Sequence, residues 1–163
     1  MAKAREIAGL RPDTRFGNAA SAAVRVRAGE VFGFADRALD TADIEGVHDM
    51  RVATRRLRAA LEVFASCFPR EQHAELLAEV KNLADALGQR RDPDVAIEAL
   101  AGFSESLAVP DRPGVEGLIV ELRAHQTAGN ETVARVLERI RASGLEPRLQ
   151  LLSELAFHGP APA

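Results

Sequence analysis

The chain is poor in the residues that usually announce chemistry: it has one cysteine, Cys67, two methionines, and neither tryptophan nor tyrosine. One cysteine forms no internal disulfide, which argues against a stapled secreted scaffold and makes the reducing cytoplasm the expected compartment. No stretch nears the roughly 20 apolar residues that span a bilayer. The opening "MAKAREIAGLRPDTRFG" has no apolar core of signal-peptide length. Neither export nor a membrane partner is therefore expected. Charge of one sign is also missing, since 21 Lys and Arg face 24 Asp and Glu for a net charge of -3. Any affinity for anions must come from local clustering. There is no glycine-rich phosphate loop, no H-E-x-x-H or similar metal-ligand spacing, and no nucleophile with a recognisable base partner. Catalysis, a cofactor and a metal are not expected.

What is present is an aliphatic, alanine-rich chain of 163 residues, 47% hydrophobic. That length suits one domain with a real core and is short for two. Apolar residues recur at helical spacing: Leu76, Leu77, Val80, Leu83 and Leu87 fall at i, i+1, i+4, i+7 and i+11. Between the proline and glycine marks this predicts helices at 18–42, 47–68, 70–87, 92–108, 113–143 and 146–158. Gly88 reads as the end of one helix, and Asp92 before Pro93 as the cap of the next. Short connections favour antiparallel neighbours. The expected fold is all-α, an antiparallel bundle of four to six helices over 17–158, with 1–16 as an N-terminal extension and the Pro/Ala tail after Phe157 frayed.

The most informative stretch is "VHDMRVATRRLRAALEVF", residues 47–64. At roughly 100° per residue, His48, Arg51, Arg55 and Arg58 share an arc of roughly 80°. Met50, Ala53, Leu57, Ala60, Leu61 and Phe64 occupy the other side. One face suits the core and the other presents a basic stripe roughly 15 Å long. Within the helix the stripe has few acids to meet: Asp49 lies beside it, and Glu62, one turn past Arg58, can pair with it. Like charges one turn apart repel by a few tenths of a kcal/mol per pair. An uncompensated row therefore points to an external anion, unless acids on neighbouring helices neutralise it. Arginine favours paired contacts to phosphate or carboxylate oxygens, and a line of such forks suits a linear polyanion.

The stretch "HDMRVATRRLR", His48 to Arg58, resembles the H-x-x-R-V-x-x-R-R-x-R signature of the CHAD family, the conserved histidine α-helical domain. "LGQRRDPDV", Leu87 to Val95, is similar to a second family feature, and Lys81 matches a lysine one to two turns earlier. The resemblance runs from about residue 17 to 143. It implies a helical bundle that binds inorganic polyphosphate without chemistry of its own, through His48, Arg51, Arg55, Arg58, Lys81 and Arg91. Arg56 matches too but sits on the flank of the helix, and Asp92 and Asp94 match in positions suited to capping and to holding Arg91.

A typical member of that family has two similar halves, and this chain carries one; His73, His125 and His158 begin no second copy. The sequence reads as a half-length member or a piece of a longer one. Where a basic residue is expected after "ELRA", it has His125 and Gln126. A half-length unit leaves apolar surface for a second chain to cover, so a homodimer is expected. Two rival readings use the same residues. His48 and Arg51 fit the spacing of a histidine phosphotransfer domain, although Val52 stands where a small residue is favoured. The arginines also suit nucleic-acid backbone contacts, but the acidic chain offers no aromatics there for base stacking.

Overall fold

A computed structural model of the chain describes residues 3–40 and 44–157. Among these, the elements are six α-helices and two short 3-10 turns, with no strand. The helices are α1 (Phe16–Gly33), α2 (Ala35–Leu39), α3 (Ile44–Val63), α4 (Arg70–Ser106), α5 (Arg112–Ala142) and α6 (Leu145–Glu154). The all-α bundle expected from the apolar spacing is what forms. The last turns predicted at 41–42 and 158, and the tail beyond, lie outside the described residues.

The core is aliphatic: Val24, Val31, Met50, Leu57, Leu61, Leu83, Leu87, Leu137, Leu145, Leu149 and Leu152 are fully buried. The face of α3 assigned to the core from its spacing, Met50, Ala53, Leu57 and Leu61, is the face that is buried. Phe64 closes its end, its ring 4.9 Å from that of Phe16 at the start of α1. His73 is buried on α4 and its Nε2–H donates to the Leu61 carbonyl at 2.8 Å, satisfying an acceptor near the C-terminus of α3. That is a packing role.

Two predicted boundaries differ from the structure. The helix expected over 18–42 breaks at Phe34, which lets the short α2 turn Ala35 and Ala38 into the core. The first turn of α3 crosses α2 so closely that a Cβ on Gly46 would collide with the Arg37 carbonyl group. Only glycine fits there. The second difference is larger. The helices expected over 70–87 and 92–108 are one helix, α4, 37 residues long, running through Gly88 and Pro93. Asp92 is therefore no cap; it stands in the helix interior, exposed.

Pro93 has no N–H to give the Gln89 carbonyl, a cost that usually ends or kinks a helix. A buried polar cluster grips both sides of it. Arg90, 1% exposed, donates from Nη1 to Asp94 Oδ1 at 2.5 Å and from Nε to Asn130 Oδ1 on α5. Gln126 on α5 donates its amide to the same Asp94 oxygen. The close approach is permitted by Gly129, where a Cβ would stand 3.1 Å from the Arg90 Cα. Farther out, α4 and α5 continue as an antiparallel pair in which Ser104 is the one buried residue between Val95 and Thr132. Phe103, Val109 and Val120 are more than half exposed there.

Before α1, the N-terminal segment is tied along that helix. The buried carboxylate of Glu30 accepts from the Arg5 backbone N–H, and Arg27 Nη1 bonds both Glu30 Oε2 at 2.8 Å and the Arg5 carbonyl at 3.0 Å.

Candidate polyanion groove

With its apolar face held in the core, α3 turns Arg51, Arg55 and Arg58 into an open groove with about 450 Å³ of space. The facing wall is α4, through Ala84, Asp85, Gly88, Gln89 and Asp92. Glu62 and Lys81 meet across the two antiparallel helices, and they set the register. Counting along both helices from that pair, Arg58 falls opposite Asp85, Arg55 opposite Gly88, and Arg51 opposite Asp92. A Cβ at Gly88 would meet nothing within 4 Å, so its missing side chain keeps the middle of the groove open. The glycine read as a helix end serves here as floor.

The charges divide into paired and unpaired. Arg58 Nε donates to Glu62 Oε1 at 2.9 Å, and Lys81 Nζ lies 3.6 Å from the same oxygen. The Arg58 hydrogen bond, with the field of both cations, holds the Glu62 carboxyl below its ordinary pKa. Neither Arg51 nor Arg55 makes an ion pair or hydrogen bond with any described residue. Asp85 and Asp92 line the opposite wall without bonding to the arginines. Three arginines thus line the groove with two carboxylates, Glu62 and Lys81 meet just beyond its Arg58 end, and Arg51 and Arg55 are left with donors that no described residue occupies.

The remaining residues singled out from the sequence lie around this row. His48 is half-buried one turn before Arg51, outside the residues that line the groove. Arg91 does not line it either; its Nη1 lies 3.5 Å from Asp94 Oδ2, an ion pair without a hydrogen bond, while Asp94 Oδ1 binds Arg90. Arg56 is half-buried on the flank of α3. Gln126, standing where a basic residue was expected, serves Asp94, and the neighbouring His125 is exposed. Sequence reasoning missed Asp85, Gln89 and the wall position of Asp92. The signal was present: Lys81, Asp85, Gly88 and Asp92 fall at i, i+4, i+7 and i+11, one face of a helix, once Gly88 is not taken as its end.

Among the described residues no three His, Cys, Asp or Glu side chains gather to hold a metal ion. No helix among them is long and apolar enough to cross a membrane.

A single-helix basic row, a facing helix that carries the R-R-D-P-D-V stretch, and an all-α bundle around them define a helical domain with an open, arginine-lined groove. A CHAD domain model matches residues 22–163, and the chain belongs to that family. An uncharacterized protein of Mycobacterium tuberculosis is 38% identical over 60 residues, a match covering 37% of this chain and 12% of that protein. No solved structure matches.

Proposed function

We propose that this CHAD domain binds inorganic polyphosphate in the groove between α3 and α4, as a binding module of the cytoplasm without catalysis of its own. The observation that carries the reading is the pair of guanidinium groups, Arg51 and Arg55, that have no partner among the described residues and stand in line with Arg58 on one wall of an open groove. Arg51 and Arg58 are seven residues apart, about 10 Å along the helix. Several successive phosphoryl groups of a linear chain fit along that length. Their oxygens accept paired N–H donors from the three arginines, contacts stronger than neutral hydrogen bonds. His48 extends the row one turn beyond Arg51, and Lys81 supplies a point charge at the other end. Arg91, paired with Asp94 outside the groove lining, adds positive field to the α4 side. Binding releases counterions and weakens steeply with salt.

Titration of long-chain polyphosphate into the native protein and into Arg55→Ala tests this. We expect roughly a tenfold loss, the scale of one hydrogen bond to a charged group. A larger loss is expected for Arg51→Ala with Arg55→Ala. Unchanged affinity in the double variant refutes the assignment.

The same reading includes a homodimer. The outer halves of α4 and α5 and the short turn joining them leave Phe103, Val109 and Val120 exposed, and a second copy across a twofold axis covers them. A monomeric mass in sedimentation at micromolar concentration overturns this part.

A further inference from the structure

We infer that Glu62 is a displaceable stop that closes one end of the groove and sets which polyphosphate lengths gain from Lys81. The inference rests on the polyphosphate reading of the same groove. Its basis is the geometry at that end. Arg51 and Arg55 offer all their donors to a ligand, whereas Arg58 has its Nε committed to Glu62 Oε1 at 2.9 Å. The same oxygen lies 3.6 Å from Lys81 Nζ on the facing helix. One carboxylate therefore links α3 to α4 just past the last arginine, taking the Nε donor of Arg58 and lying against the Lys81 ammonium.

Glu62 is 43% exposed, as are Arg58 and Lys81 at their side chains, so the bridge is a surface contact that solvent screens. It is also movable, because all three side chains are long and none is locked in the core. A short phosphate chain seated on Arg51 and Arg55 leaves the bridge in place. A longer one reaches Arg58 and brings its own oxygens against Glu62. Like charge then turns the carboxylate out, and phosphate oxygens take its place on Arg58 and Lys81. Part of the binding energy of the longer chain goes into breaking the bridge, so Glu62 lowers the advantage of length. Asp85, opposite Arg58, adds to the negative field a long chain meets at this end.

The test compares native protein with Glu62→Gln, titrated with tripolyphosphate and with long-chain polyphosphate across a series of salt concentrations. An exposed residue of this kind is replaced without harm to the fold. Glu62→Gln is expected to bind the long chain about two- to fivefold more tightly, the range one surface ion pair spans. It is expected to bind tripolyphosphate as the native protein does. In both proteins the salt dependence is steeper for the long chain than for tripolyphosphate, because Arg58 and Lys81 engage phosphate only when the chain reaches them. Equal tightening for both ligands shows only a general loss of negative field and overturns the stop. Unchanged or weaker long-chain binding overturns it as well, since Glu62 then merely orients Arg58. Native protein that binds neither ligand at low salt overturns the polyphosphate reading and the stop together, whereas length-independent tightening overturns the stop alone.

Discussion

Arg90 is 1% exposed and held by Asp94 and Asn130, while Arg55, on the neighbouring helix, is exposed and bonded to no described residue. The two guanidinium groups are chemically identical, and their surroundings give them opposite work. A buried arginine must be fully paired, because an uncompensated charge in the interior costs several kcal/mol. Arg90 therefore binds α4 to α5 and has nothing left for a ligand. An exposed arginine in a row of its own sign costs little and keeps its donors. The difference teaches that counting arginines says less than asking which of them the fold has already satisfied.

The comparison is broken most severely from the buried side. Asp94→Ala strands Arg90 beside the helix rung that Pro93 already leaves open, and we expect a loss of about 3–5 kcal/mol in denaturant unfolding. A change below about 1 kcal/mol, the scale of an ordinary point substitution, would mean that the cluster does not join the two helices. On the groove side, Arg51→Ala with Arg55→Ala removes polyphosphate affinity yet shifts stability by no more than about 0.5 kcal/mol, as surface substitutions do. Parallel melting and binding curves separate these two classes of arginine.

A subtler test fills the floor between the walls. Gly88→Leu places a side chain where a Cβ meets open space. Leucine is about 0.8 kcal/mol more favourable than glycine in a helix interior. The variant is therefore expected to melt no lower than native while binding polyphosphate several-fold more weakly. Weaker folding would show that the floor is not open.

The smallest effect concerns Glu62, whose carboxyl is held below its ordinary 4.5 by Arg58 and Lys81. A depressed folded value means that the bridge stabilises the protein fully above the unfolded pKa and is lost as pH falls through the folded one. Carboxyl NMR titration should place Glu62 below the ordinary glutamate value, and Arg58→Ala should move it back up. No movement would separate Glu62 from Arg58.

Much of one wall was legible in the sequence. The apolar positions of α3 repeat at helical spacing and its arginines repeat one turn apart, so burying Met50, Ala53 and Leu57 necessarily turns Arg51, Arg55 and Arg58 away from the core. The pairing of Arg58 with Glu62 followed from a four-residue separation in one helix. The other wall was hidden by two local signals, Gly88 and the Asp92–Pro93 pair, which ordinarily separate helices. Taking them as a boundary removed the register that sets Asp85, Gly88 and Asp92 in line.

The sequence by itself thus determined the helical class, the two-sided character of α3 and the row of arginines, because each depends on neighbours within a few turns of one chain segment. Only the tertiary structure decided that α4 runs on through Gly88 and Pro93, and with it what faces the arginines. A cap is worth about 1 kcal/mol. The competing contacts of Arg90 and Asp94 with Asn130 and Gln126 join residues 32 to 40 positions apart, and no local pattern announces them.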